Sequence, residues 1–212
     1  MIHYAVHLAR SWRAMVLVGL LIAVITGGLS LISDLEYRAQ TQVFVLPTAT
    51  AGSDPFTLVK TAERIGDNLS HVVYTSTFFE RVIERTGGTF FASDFGKNER
   101  AIRKVWANAI SVTPVIGTGF VQVAAFDADK TRAAILAGAV ASVLSERGGE
   151  FVPGDVTIKE VDTVVLSRYP VRPNVPLNMI FGFLIGVLGV AVVELFRNPH
   201  HSHPREMGAV DW

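Results

Sequence analysis

Apolar and polar positions along the chain fall into three patterns: two long uninterrupted apolar runs near the ends, short stretches of period two, and longer stretches of helical period between them. No charge interrupts the residues between Arg172 and Glu194. A second run, Ala14–Ser33 (AMVLVGLLIAVITGGLSLIS), is bounded by Arg10 and Arg13 on one side and by Asp34 and Glu36 on the other. At about 1.5 Å per residue each run covers a hydrocarbon layer of about 30 Å, so the pattern predicts transmembrane helices at 14–33 and 177–196. A cleaved signal peptide would have a shorter apolar core ending in a small-residue site, and Ser30-Leu31-Ile32-Ser33 has no Ala-x-Ala pattern, so the first helix is expected to be retained.

Ahead of the second run, Pro170, Pro173 and Pro176 recur at every third position in YPVRPNVPLN. Each fixes its own φ and biases the preceding residue towards extended geometry, which predicts a stiff collar over 170–176. Asn174 suits a helix cap and Pro176 a first turn. Within the runs, Gly182 and Gly186 form a G-x-x-x-G pair with Gly189 nearby, and Gly19, Ala23 and Gly27 repeat the small-residue spacing that lets membrane helices approach. The contact is expected between the two spans or between neighbouring subunits.

The intervening segment, 34–169, alternates element types. Arg38–Pro47 has period two and reads as a strand leaving the first span. After a turn-rich linker, Ser53 or Asp54 caps a helix that starts at Pro55 and carries Phe56, Val59, Ala62, Ile65 and Leu69 on one face. Ser76–Arg85 reads as a second helix with Phe78, Phe79, Val82 and Ile83 inward, ended by Gly87-Gly88. Phe90–Lys97 reads as irregular. Asn98 opens a helix over Glu99–Asn108 with Ile102, Val105 and Trp106 as its apolar stripe. Ile110–Val115 and Phe120–Ala125 are predicted strands of a hairpin, and Asp127 is the expected cap of a long helix, Ala128–Arg147, that buries Ile135, Leu136, Ala139, Val140, Val143 and Leu144 and stops at Gly148-Gly149. Val156–Leu166 gives a last strand or strand pair.

The order strand, helices, strand, strand, helix, strand predicts an α+β fold of ferredoxin-like, βαββαβ type, whose first and last strands lie close together. Two transmembrane helices flanking such a domain need its ends to meet.

Composition narrows the picture. Half of the 212 residues are hydrophobic and 18% are charged, as expected of a small integral membrane protein with one folded domain. With 19 basic and 19 acidic residues the formal net charge is zero, so neither nucleic acid nor an anionic surface is indicated as a partner. The absence of cysteine excludes disulfides, thiol catalysis and thiolate metal sites. Basic residues at 10, 13, 197 and 205 favour both termini in the cytoplasm, with 1–13 and 197–212 as short tails and the domain outside, although Arg168 and Arg172 stand on the opposite side.

Three stretches resemble the Wzz-type chain-length determinants, or polysaccharide co-polymerases: RSWRAMVLVGLLIAVITGGLSLISDLEYRAQTQVFV with Tyr37 after the span, ISVTPVIGTGFVQVAAFDADKTRAAILAGAVASVL, and the proline-rich YPVRPNVPLN. The resemblance implies a homo-oligomer in the bacterial inner membrane with an external α/β domain. It also implies a non-enzymatic role in setting how far a polymerase extends a surface polysaccharide (O-antigen, capsule or exopolysaccharide), with the polymerase and the glycan chain as partners. Three departures stand out: Ser53–Arg85 leaves room only for a short version of the family's helical extension, Asn198–Trp212 is too short for a kinase domain, and Asp34-Leu35-Glu36 lacks the proline often found near that position. Two alternatives stand beside this expectation: an external sensor signalling through the two spans, and an adaptor or activator of a separate cytoplasmic tyrosine kinase.

No catalytic, cofactor or metal site is expected. His71 is the only histidine of the external segment, and its neighbour Ser70 is not aimed at it on a helix, so a nucleophile–base pair is not formed. Asp127-Ala128-Asp129 is explained by helix capping rather than by a metal, and Gly117-Thr118-Gly119 lacks the length and the lysine of a phosphate loop. His200, His201 and His203 form a cluster with affinity for Zn, Ni or Cu, but have no acidic or thiol partners nearby. Arg100, Arg103 and Lys104 are candidate glycan-facing cations, as are Lys60/Arg64 and Arg81/Arg85, because such groups suit carboxylate or phosphate; the same residues equally describe the solvated side of a helix.

Overall fold

Period-two alternation after the first apolar run produces the central strand of an antiparallel sheet. In a computed structural model, which describes residues 2–48, 54–152 and 155–197, β1 (Tyr37–Pro47) buries Ala39, Thr41, Val43 and Val45 and leaves the residues between them half-buried. Antiparallel to it runs β3 (Phe120–Asp127), with Gln42 opposite Gln122 and Phe44 opposite Phe120. β2 (Ile110–Pro114) pairs with the far side of β3, and β4 (Val156–Glu160) and β5 (Val165–Leu166) share the other side of β1. The order is therefore β2-β3-β1-β4, with β5 beside β1 and every neighbour antiparallel.

The segment between β1 and β2 is helical. Asp54 caps α2 (Pro55–Val72) by accepting the Thr57 N–H, Thr75 caps α3 (Ser76–Arg85), and Asn98 caps α5 (Glu99–Ala109). α3 ends ahead of Gly87 and Gly88, whose φ values of +61° and +88° only glycine adopts cheaply. Within the stretch expected to be irregular, Ala92–Phe95 forms a single helical turn, α4, with the Phe91 N–H bonded to the Asp94 carboxylate. Ala62, Ile65 and Leu69 of α2 are buried as expected, whereas Phe56 (76% exposed) and Val59 lie on the same face but outside the core, as does Val105 of α5. The stripes are present, but the core beneath them is shorter than the helices.

Opposite β1 and β3 lies α6 (Lys130–Arg147). Leu136, Val140 and Leu144 are fully buried with Ala133, Ala137 and Ala141, while Ile135 is only half-buried. They join Val43, Val45, Val121 and Val123 from the sheet and Leu69, Phe78 and Val82 from the helices in one apolar cluster. Each fully buried side chain of this size contributes about 1.5–3 kcal/mol relative to exposure.

α6 corrects one expectation. Its cap is Asp129, not Asp127: β3 continues to Asp127, which pairs with Tyr37, and Asp129 accepts the N–H groups of Thr131 (2.6 Å) and Arg132 (3.1 Å). Asp127 supports the turn by accepting the Asp129 N–H. The two backbone donors, Arg132 first and Thr131 next, hold the Asp129 carboxyl below its ordinary value. A lowered folded-state value means that the cap's contribution is complete above the ordinary carboxylate value and is lost as pH falls through the folded value. Asp129→Asn keeps an acceptor without the titration, so amide protection in the first turn of α6, referred to the intrinsic exchange rate at each pH, should fall on acidification in the wild type and respond less in the variant. Equal acid sensitivity would show that the cap charge contributes nothing.

The hairpin turn between β2 and β3 uses Gly117 at φ +74°. At Gly119 a Cβ would stand 2.7 Å from the Val45 carbonyl oxygen, so the hairpin can lie against β1 only without a side chain there.

The chain divides into two compact units, Asp34–Pro173 and the two ends. In the latter, α1 (Ile2–Ile32) and α7 (Val175–Arg197) are the elements. α1 begins well before the predicted span, within the part expected to be a cytoplasmic tail. Trp12–Ile32 and Val175–Glu194 are long and apolar enough to cross a membrane.

Candidate functional site: the helix pair and the proline collar

Glycines set the geometry of the end unit. A Cβ at Gly186 would stand 2.7 Å from the Gly19 Cα, one at Gly182 would collide with Thr26 Oγ1, and one at Gly19 would stand 2.9 Å from the Phe183 ring. Gly27 faces Met179 at a similar distance and Ala23 is buried. The small residues therefore join α1 to α7 of the same chain. Gly189 is the exception: nothing lies within 4 Å of its Cβ position, so it takes no part in this contact.

Three polar side chains that the sequence reading passed over reinforce the pair. Thr26 Oγ1 donates to its own helix, at the Ile22 and Ala23 carbonyls, and approaches the Asn178 carbonyl at 3.2 Å, while the Asn178 amide donates to Ser30 Oγ at 2.8 Å. Their signal was available as polar residues inside apolar runs, which seek partners where water is absent. Ile180, Ile185, Leu188 and Val193 of α7 are exposed.

The collar is less of a separate link than its prolines suggested. Its first part belongs to the sheet unit: Val171 donates to the Glu36 carbonyl, and the Glu36 N–H donates to the Arg172 carbonyl, so entering and leaving strands of chain are bridged. Its last part belongs to α7, where Asn174 caps the helix by accepting the Leu177 N–H at 3.3 Å and Pro176 lies in the first turn.

Arg172 is the residue that sequence reasoning missed. Its guanidinium donates to the Asn108 carbonyl at 2.7 Å, lies 3.5 Å from Glu36 Oε2, and covers the Phe126 ring 3.5 Å from its centroid. One side chain thus clasps the two ends of the sheet unit to β3 and to the last turn of α5. With the side chain 42% exposed, screening limits its worth, and Arg172→Ala is expected to cost about 1–2 kcal/mol. Arg172→Lys keeps the charge but neither the flat stack nor the fork, so it should recover less than half of the loss. Thermal unfolding in nanodiscs checks this; a lysine variant equal to wild type would reduce the clasp to simple charge.

Among the candidate cations, most are already partnered. Arg103 pairs with Glu99 and also donates to Ser76, Arg81 pairs with Glu150, Arg85 with Glu146, and Lys60 with Glu63. The Arg81 hydrogen bond is the main reason that the Glu150 carboxyl titrates below its usual range. Arg100, Lys104 and Arg64 are exposed and make no ion pair among the described residues. Ser70 Oγ donates to the Asp67 carbonyl and not to His71, which is exposed. His200, His201 and His203 lie outside the described residues, as does Ser53.

A groove of about 400 Å³ is lined by Asp34, Glu36, Asp94, Asp127 and Phe126. Arg132 occupies its acidic side, 3.3 Å from Asp127 Oδ2 and 3.8 Å from Asp94 Oδ2, and lies over the Phe90 ring at 4.1 Å. This arrangement is a packed ion cluster rather than a set of free ligands.

Compared with protein-family models and with curated proteins, the chain gives no match.

Proposed function

We propose that the chain is an oligomeric regulator of surface-polysaccharide length in a bacterial inner membrane, anchored by α1 and α7 and carrying Asp34–Pro173 outside. It acts as a scaffold for the polymerase or the growing chain and performs no chemistry of its own. The observation that carries this reading is the closure of the external unit on itself. Glu36 and Arg172 are bridged, so the unit is held by both ends at one place, as a domain between two paired spans requires.

Other features support it. α1 and α7 pack through small residues and leave large apolar side chains exposed, an arrangement suited to lipid and unfavourable in water. The order β2-β3-β1-β4 with antiparallel neighbours suits a ferredoxin-like unit, with α2 and α6 as its two crossover helices. The resemblance of YPVRPNVPLN, of the stretch from the first span into β1 and of the stretch from β2 into α6 to polysaccharide co-polymerases gives the substrate class. A homo-oligomer follows because a small scaffold without an active site acts by arraying copies of itself.

The deciding experiment is the length distribution of surface polysaccharide in a strain lacking the gene. Loss of the modal length with continued synthesis is the expected result. An unchanged distribution overturns the proposal, and complete loss of polymer assigns the protein an essential synthetic role instead.

A further inference from the structure

α2 and α6 pack on one face of the sheet, and the residues that alternate with the buried set lie on the other. Along β1 these are Arg38, Gln40, Gln42 and Phe44. Register places Gln122 opposite Gln42, Phe120 opposite Phe44, and Phe126 opposite Arg38 on β3, with Lys159 opposite Phe44 on β4. Phe44 and Phe120 lie with ring centroids 4.7 Å apart, tilted by 37°.

This face carries amides, cations and an aromatic pair together. None of the three glutamine amides has a hydrogen-bond partner among the side-chain bonds of the described residues. Each offers two donors and an acceptor, the combination that hydroxyl groups match. The strand residues on this face include two cations, Arg38 and Lys159, and no carboxylate. Arg38 Nε is buried without a partner, the one such side-chain atom among the described residues. Opposite it, Phe126 is already covered by the Arg172 guanidinium, whose charge Glu36 balances, so the Arg38 charge is left over.

We propose that the open face of the sheet, from Arg38 to the Phe44–Phe120 pair, is a binding platform for an acidic, polyhydroxylated chain, that is, a polysaccharide strand bearing carboxylate or phosphate groups. The assignment rests on the proposed role in polysaccharide length and names the contact through which that role is exercised. Amides meet hydroxyls, the aromatic pair offers a flat apolar surface to sugar C–H groups, and Arg38 and Lys159 meet the anionic substituents. From Arg38 to Phe44 the platform runs about 20 Å along the strand, room for several sugar units in extended form. A second copy of the chain is a poorer occupant. Sheets that pack face to face interdigitate apolar side chains, whereas here three amides at the centre would be buried without partners.

The full chain in nanodiscs can be titrated with hexagalacturonate and, as the neutral counterpart, maltohexaose. Hexagalacturonate is expected to bind, to give saturation transfer from the phenylalanine rings, and to weaken as salt is raised. Gln42→Ala/Gln122→Ala should weaken it about tenfold, as should Arg38→Gln, with β1 amide exchange unchanged to show that the sheet is intact. Arg100→Ala/Lys104→Ala, on α5, should leave binding as it was. No binding of hexagalacturonate, equal affinity for maltohexaose, loss of binding through the α5 variant alone, or protection of the face by self-association each overturns the platform. Failure of the platform is separable from failure of the functional reading: a gene deletion that still shifts polymer length while hexagalacturonate does not bind removes only the platform. Binding without any length phenotype removes the length role.

Discussion

Replacing Trp106 by alanine is expected to cost the sheet unit about 3–5 kcal/mol, a large share of the 5–15 kcal/mol that holds a typical domain together. The ring is 1% exposed and sits among aromatic edges, 5.1 Å from the Phe79 centroid at 74° and 5.7 Å from Phe95 at 72°. Its Nε1–H donates to the Val73 carbonyl at 2.8 Å, which fixes the end of α2 against α5. Alanine leaves a cavity and an unpaired carbonyl together. Trp106→Phe keeps most of the apolar volume and loses the bond, so it should fall between the two. In nanodiscs, exchange of the most protected amides of β1 and β3 should accelerate at least a hundredfold in the alanine variant. Exchange at the wild-type rate would mean that α5 is a peripheral attachment.

Much of this core is legible in the sequence, and its limits have physical causes. Ser76–Arg85 is framed on both sides by local chemistry, a threonine cap and a pair of glycines, and needs no distant contact to be located. The choice between Asp127 and Asp129 does need one. Both obey the capping preference, and only the pairing of Asp127 with Tyr37, far away in the chain, keeps β3 extended and moves the helix start forward. Phe56 and Val59 illustrate a second limit: periodicity tells which residues share a face, but not how far the neighbouring layer extends beneath it.

The candidate site follows the same division. Alternation along β1 separates Arg38, Gln40 and Gln42 from the buried set, yet Gln122 joins them only through the register with β3. Arg172 reads locally as a charge beside a membrane span. Its contacts with Asn108 and Phe126 depend on the fold bringing three distant segments together.

Glycine spacing in the apolar runs is legible too, and it leads to the second large effect. Substituting isoleucine at both Gly182 and Gly186 should separate α1 from α7, because the added side chains fall on Thr26, the Ile22 carbonyl and the backbone of Gly19. There is little slack to absorb them, and overpacking typically costs about 1–3 kcal/mol per site. Gly189→Ile is the matched control, since its Cβ position is open. The absence of native cysteine gives a direct measurement. Ser30→Cys/Asn178→Cys replaces a pair in hydrogen-bond contact at 2.8 Å, and a short bifunctional thiol reagent should cross-link the two cysteines within one chain in high yield. That yield should fall several-fold with the double isoleucine change and stay high with Gly189→Ile. In the proposed role the consequence is specific: polymer is still made, but its modal length shifts or blurs, since Asp34–Pro173 keeps its core and loses the defined spacing of its two anchors. A low cross-linking yield with an unaltered length distribution would separate the two claims, leaving the helix contact real and its part in length control refuted.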